Sequence, residues 1–302
     1  MKPVNASLAC WPGFNHLDAA AAASAGGSDP HLGSLAADHL QLVPQGQGLI
    51  DESLLDAIRC RYPRATVRLH ANVHILSRRV VTDLSTFTDQ PEWFTRAAEL
   101  HRYAGSSVYS AHAGRRCNAT VQQVVDNARR CADLFGSPVA VEGLYPQGDR
   151  TPGGRHEFLV STWEEYRELL DARVWMAIDL SHLNILAHQS GRFEHQLTQE
   201  LLASEWTCEV HLSHNDGTGD WHQVCDSAPW WSALLPDINP TAVAFSEGNQ
   251  RRSRKEMRPA PTILAAVSSA VLPSISCTAT RAPRDPTKSA SSRPMPAPAP
   301  VM

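Results

Sequence analysis

Through most of its length the chain alternates short apolar or β-branched runs with longer stretches whose apolar positions recur at helical spacing. Short runs of that kind read as buried strands and the longer stretches as amphipathic helices, so the alternation predicts successive parallel β-α units. Strands are expected at 5–9, 39–43, 66–70, 107–112, 139–142, 175–179, 209–212 and 243–247, and helices at 49–61, 90–103, 120–134, 162–171, 192–204 and 230–235. Eight strands are the number that closes a barrel, and the expected fold class is α/β, a single-domain (β/α)8 TIM barrel spanning 1–272. Residues 19–27 (AAAAASAGG) are the poorest match to a β-α unit and read as a short helix followed by a flexible link. Gly46-Gln47-Gly48 is a turn before a helix, not a nucleotide loop, because neither G-x-G-x-x-G nor a Walker pattern follows it. After Glu247 a polar, basic stretch stands where the last amphipathic helix of a barrel belongs, and only 262–272 is apolar enough for a helix. From Pro273 the Pro, Ser, Ala, Thr and Arg composition predicts a disordered tail over 273–302.

Six consecutive expected strands end in His70, His112, Glu142, Asp179, His211 and Glu247. In a β/α barrel the carboxyl ends of the strands converge on one rim, where active sites lie. A carboxylate at a buried strand tip is costly unless it is paired or metal-bound. Asp179-Leu180-Ser181-His182 adds a ligand one turn past its strand tip, and Asp220-Trp221-His222 sets a carboxylate and an imidazole on one side of an extended loop. Carboxylate oxygen and imidazole nitrogen suit hard or borderline divalent ions. Nine candidates are too many for one ion and suggest two or three metals sharing bridging carboxylates. His74, His188, His195 and His214 read as structural, although His74 and His214 lie close enough to His70 and His211 to replace them. Arg115 and Arg116 read as solvated or paired surface charges or as anchors for an anionic group, and Trp221, Trp230 and Trp231 as packing, with Trp221 placed to wall the site.

The 302 residues are 42% hydrophobic, enough for a full core. No apolar run reaches the roughly 18 residues of a membrane helix, and Met1-Lys2-Pro3 opens without a signal-peptide core, so neither a membrane nor a secreted protein is expected. Seven scattered cysteines without a C-x-x-C point to a cytoplasmic chain rather than to a disulfide framework or a cysteine zinc site. From Gly248 onward lie nine of the 27 basic residues but only two of the 31 acidic ones, which leaves residues 1–247 at −11. A body so acidic repels a phosphate backbone unless bound cations offset it, which argues against nucleic acid and for a small-molecule substrate.

From about residue 39 to about residue 252 the chain resembles the xylose isomerase-like TIM barrels, a family that includes endonuclease IV, sugar isomerases and epimerases, and multinuclear iron enzymes of peptide modification. The resemblance is carried by VEGLYP (141–146), AIDLSHLNI (177–185), VHLSHNDGTGDWH (210–222) and FSEGN (245–249). It implies that Glu142, Asp179, His211 and Glu247 are the ligands shared by the mononuclear sugar enzymes, and that His70, His112, His182, Asp220 and His222 complete the trinuclear set of endonuclease IV. It implies one to three Zn, Mn or Fe ions per chain and a catalytic pair, Glu142 and Glu247, that exchanges a carbon-bound proton. Epimerases of the family usually carry an Arg shortly after the His of the seventh strand, whereas His211 is followed by Leu212, Ser213, His214, Asn215 and Asp216. The activity expected is that of a metal-dependent isomerase or epimerase on a small polyol or hydroxy-ketone. The alternatives are a multi-metal phosphodiesterase and a multinuclear iron oxidase acting on a peptide or small metabolite.

Overall fold

The structure, a computed structural model, describes residues 2–147 and 156–251. In chain order its strands are β1 (Val4–Ala6), β2 (Gly27–Asp29), β3 (Gly33–Leu35), β4 (His39–Leu42), β5 (Thr66–Leu69), β6 (Tyr109–His112), β7 (Val139–Glu142), β8 (Met176–Asp179), β9 (Thr207–Leu212) and β10 (Val243–Ser246). The helices are α1 (His16–Ala25), α2 (Glu52–Arg61), α3 (Pro91–Ala104), α4 (Val121–Phe135), α5 (Trp163–Asp171), α6 (Leu180–Ser190) and α7 (His195–Ala203).

Eight strands, all but β2 and β3, make the barrel and occupy the segments the apolar pattern marks, with ends shifted by a few residues. Six pair in parallel in the order β1-β10-β9-β8-β7-β6, and β4 pairs in parallel with β5. Two seams close the ring with fewer backbone bonds. At one, Asn5 bridges Ala36 in parallel and its Oδ1 accepts from His39 N at 3.1 Å; at the other, Ser106 Oγ donates to the Val67 carbonyl beside β6. Parallel strands buried on both faces need apolar bodies, and β7, β8 and β9 are buried at every position.

The helices show why the sequence places them where it does. In α4 the Thr120 hydroxyl accepts from Gln123 N at 3.2 Å while Gln123 Oε1 accepts from Thr120 N at 2.8 Å, a capping box that satisfies two of the open amides of the first turn. Val121, Val124, Val125, Ala128, Cys131 and Phe135 line its buried face, and Gly136 ends it at φ 71°. Each large side chain on that face contributes about 1.5–3 kcal/mol by leaving water. α3 opens with Pro91 in its first turn and stops at Gly105, φ 65°.

Three expectations are corrected. The segment after α1 is not a flexible link but the hairpin β2–β3, pinned by buried Asp29, whose Oδ1 accepts from His31 N and Leu32 N at 2.9 Å and whose Oδ2 accepts from Cys225 N at 2.8 Å. The connection from β8 to β9 holds two helices rather than one, because α6 starts directly at the strand tip and ends at Gly191, φ 68°. From Leu180 to Ala187 α6 is buried on every side, so it lacks the polar stripe by which an amphipathic helix announces itself. The segment after β9 is a 3-10 helix, Trp230–Asp237, with Pro236 inside it. The expected helix over 262–272, the tail over 273–302 and the end of the barrel at 272 lie outside the described residues. Among the described residues no helix is long and apolar enough to cross a membrane.

Candidate metal centre

Strand registry builds the cluster. His112 pairs with Glu142, and Asp179 with His211, so neighbouring strands deliver their polar tips at matching heights. Glu247 follows β10 and donates its amide to the Leu212 carbonyl at 2.9 Å. His182 sits on the first turn of α6, where Asp179 caps the helix by accepting from Ser181 N at 2.7 Å and His182 N at 3.2 Å. All nine expected residues therefore meet at the carboxyl end of the barrel. Eight of them, all but His211, line one pocket with Val43, Pro44 and Gln45, and His211 lies fully buried against its floor.

Glu142 is the hub. Its Oε2 lies 2.8 Å from His70 Nε2 and 3.6 Å from His211 Nδ1, and its Oε1 lies 3.8 Å from His112 Nε2 and 3.9 Å from His182 Nδ1. A second arm runs from His182, whose Nε2 stands 3.4 Å from Asp179 Oδ2 and 3.6 Å from Asp220 Oδ2, to His222, whose Nε2 stands 3.0 Å from the same Asp220 oxygen. Glu247 closes the ring at 4.0 Å from His211 Nδ1 and 3.6 Å from His222 Nδ1. His222 reaches this place by a route the extended-loop reading does not anticipate: its φ is 46°, a left-handed turn.

The electrostatics follow from four buried carboxylates among five imidazoles. Burial alone would lower the His182 imidazole, but Asp179, Asp220 and Glu142 pull it up to about 10. Burial is likewise outweighed at His222, which Asp220 and Glu247 also raise to about 10. His112 has a weaker share of the carboxylates, so burial prevails and holds it down at about 4. Glu142 is pulled far below the carboxylate range, its burial overcome by His211, His70 and His112. At Glu247 burial prevails over His211 and His222, and the carboxyl is raised.

Three sets within this ring are suited to a metal ion: His70, His112 and Glu142; His70, His211 and Glu247; and Glu142, Asp179 and His182. In each the ligand atoms lie within 4.8 Å of one another. Tetrahedral ligands at about 2 Å from an ion stand roughly 3–4 Å apart, so modest closure would seat one. The orphaned atoms point the same way, since His211 Nδ1 and His222 Nδ1 are buried in the cluster without a hydrogen-bond partner.

His74 and His214 do not line the pocket, and the backbone of His214 instead bridges Gln223. Trp221 is not a wall either; its Nε1 donates to Asp216 Oδ1 at 2.9 Å. Arg115 pairs with Glu157, and Arg116 with Glu165 at 2.5 and 2.7 Å. Sequence reading missed the layer beneath the cluster, Gln41, Arg68, Ser110 and Glu209. Its signal lay in the strand period: Arg68, Ser110 and Glu209 each stand two residues before a site histidine and so share its face.

The fold and the site together define a closed α/β barrel with a His and carboxylate cluster at its carboxyl rim. No family model and no curated protein sequence matches the chain. Solved structures do share its fold. A D-tagatose 3-epimerase-like protein aligns over 83% of this chain and 92% of its own with a TM-score of 0.57 at 15% identity. An AP endonuclease, family 2, from Brucella melitensis aligns over 84% and 95%, TM-score 0.53, at 16% identity. A 3-keto-D-glucoside 4-epimerase from E. coli aligns over 89% and 98%, TM-score 0.50, at 14% identity. The chain has the fold of the xylose isomerase-like TIM barrels.

Proposed function

We propose that the chain is an enzyme whose nine clustered side chains hold two or three divalent ions, and that it hydrolyses a phosphoester in a small molecule. The observation that carries this reading is the placement of Glu142, with His70 and His211 at one oxygen and His112 at the other, the setting of a carboxylate that bridges ions. Asp220, shared between His182 and His222, offers a second bridge. Charge favours this substrate class over a neutral one as the ions fill. The four carboxylates Glu142, Asp179, Asp220 and Glu247 bring −4, so a single divalent ion leaves the mouth at −2, two leave it neutral and three leave it at +2, the sign that suits an anionic phosphoester. Clustered divalent ions would supply an acidified water and the positive charge that steadies a departing oxygen. The protein's part is to fix the ligands: Gly143 O accepts from His182 Nδ1 at 2.9 Å and Ser181 Oγ donates to Asp220 Oδ1 at 3.1 Å. The pairing of Arg115 and Arg116 with glutamates and the −11 body argue against a duplex as substrate.

The test is metal content per chain after purification without chelator or tag metal, alongside hydrolysis of bis(p-nitrophenyl) phosphate. Two or three equivalents that fall in His70→Ala and Asp220→Ala, with metal-dependent hydrolysis, are expected. One equivalent indifferent to both substitutions defeats this reading in favour of a second.

That second reading is a mononuclear isomerase or epimerase on a small polyol or hydroxy-ketone, with Glu142, Asp179, His211 and Glu247 as ligands. It is favoured by the two glutamates flanking one atom, His211 Nδ1, at 3.6 and 4.0 Å, from where they would exchange a carbon-bound proton. Solvent deuterium would then enter a ketose, and Glu247→Gln would abolish the exchange. Dioxygen consumption after anaerobic iron loading is the outcome that would move the assignment to an oxidase.

A further inference from the structure

Below the cluster the barrel interior is polar, where this architecture ordinarily stacks branched aliphatic side chains. Glu209 has no exposed surface, and its Oε1 accepts from Ser110 Oγ at 2.6 Å, Gln41 Nε2 at 2.7 Å and His211 Nε2 at 2.8 Å, while its Oε2 pairs with Arg68 Nη1 at 2.8 Å. Gln41 is oriented in turn by Ser7 Oγ, which donates to its Oε1 at 2.7 Å and so turns Nε2 toward Glu209. Gln41 Nε2 also lies 3.0 Å from His211 Nε2. Both nitrogens carry protons in this arrangement, and Glu209 Oε1 is the acceptor they share. Removing Arg68 and Glu209 from water costs several kcal/mol per ion, and such a pair seldom outperforms apolar packing of the same volume. Stability is therefore a poor reason for the pair to sit there.

We propose that Glu209 is a positioning residue for the metal centre: it holds His211 with Nε2–H directed down into the barrel, which leaves Nδ1 facing Glu142 and Glu247 at the mouth. Arg68, Ser110 and Gln41 keep the carboxylate charged and in place. This rests on the reading of His211 as a metal ligand. A carboxylate behind a ligating imidazole fixes the ring, selects its tautomer and raises its basicity, and losing such a partner typically weakens metal binding roughly ten- to a hundredfold.

The experiment measures Zn2+ and Co2+ affinity of the full chain and of Glu209→Gln and Glu209→Ala, with circular dichroism as the check on the fold and the visible Co2+ spectrum as a report on ligand geometry. Roughly tenfold weaker binding in Glu209→Gln and nearer a hundredfold in Glu209→Ala are expected, with an altered Co2+ spectrum and an unchanged fold. Should the variants fail to fold, nitrogen-15 spectra of histidine-labelled, Zn2+-loaded wild type decide the matter. Protonated Nε2 and coordinated Nδ1 at His211 are expected, and the reverse assignment overturns the proposal. Wild-type binding left unchanged by either substitution defeats the positioning role alone, whereas a wild type that binds neither ion defeats the metal reading and this proposal with it.

Discussion

His222 leans on Asp220 across a left-handed turn: at φ 46° the His222 Nε2 comes within 3.0 Å of Asp220 Oδ2, the oxygen that also lies 3.6 Å from His182 Nε2. A buried carboxylate shared by two imidazoles is held far below its ordinary range despite its burial, chiefly by His222 and His182. A carboxylate so placed is suited to be shared between two ions. Asp220→Ala is expected to lower metal content by at least one equivalent per chain while the ions held through His70, His112 and Glu142 remain. Elemental analysis of wild type and variant purified in parallel checks it, and equal content in the two would remove the second arm from the site.

Gly143 explains how Glu142 and His182 come to sit so close to the wall. A side chain at 143 would overlap Tyr166 Oη and begin 2.5 Å from its Cζ, and Tyr166 is itself buried. The Gly143 carbonyl meanwhile holds His182 Nδ1 at 2.9 Å. Gly143→Ala is expected to cost about 1–3 kcal/mol of stability, the usual range for overpacking, and to weaken metal binding as the backbone of Glu142 shifts. Urea unfolding measures the first effect. Pairing the change with Tyr166→Ala, which empties the contested space, should give a double variant more stable than the sum of the two single losses; simple additivity would mean that the two side chains do not compete.

The barrel and the six strand-tip members of the cluster were legible because apolar strand bodies with polar tips repeat at the spacing of β-α units, and a strand tip needs no tertiary knowledge to be placed on the rim, while His182, Asp220 and His222 were suggested by the local spacings Asp-x-x-His and Asp-x-His. What escaped was long-range. The partners of Glu209 are residues 41, 68 and 110, at separations of 168, 141 and 99, and no local window joins them, although the shared strand face of Arg68, Ser110 and Glu209 was available in the period of two. The hairpin β2–β3 escaped for another reason. Gly27-Ser28-Asp29 and Gly33-Ser34-Leu35 carry no β-branched or aromatic residue, and it is the side chain of Asp29, reaching Cys225 N at 2.8 Å, that ties the hairpin to a distant loop.

A ligand that binds only the folded chain stabilises it by mass action. The cluster draws candidate ligands from β5 through β10, so bound ions would tie β5 to β6 across one of the two seams with few backbone bonds. Metal at a hundred times its dissociation constant contributes about 2.7 kcal/mol, which for a barrel of this size raises the melting temperature by about 5 °C. Thermal melts with Zn2+ or Mn2+ and with excess chelator check it. A melting temperature indifferent to both would exclude a folded-state metal site of useful affinity.

Two histidines away from the cluster add to an acid sensitivity shared with His112, which burial also holds at about 4. His101 packs edge-on to Phe135 with its Nε2 2.7 Å from Ser137 Oγ, and burial, aided by Arg102 and Arg68, holds it down at about 4. Burial, with Arg79 and His74, holds His16 at about 4 as well. In the unfolded chain both titrate near 6.5, so between these values the unfolded state binds more protons than the folded one. Their contribution is complete above pH 6.5, falls as the pH drops, and by pH 5 about 2 kcal/mol is lost for each. The cluster imidazoles raised by carboxylates, His182 and His222, act in the opposite sense, losing their contribution as the pH rises toward 10. Comparison with a His16→Asn, His101→Asn double variant separates the two effects. Its unfolding free energy should be lower at pH 8 but should decline between pH 8 and pH 5 by about 4 kcal/mol less than that of the wild type. Parallel declines in urea titrations across that range would show that the two rings are protonated in the folded chain.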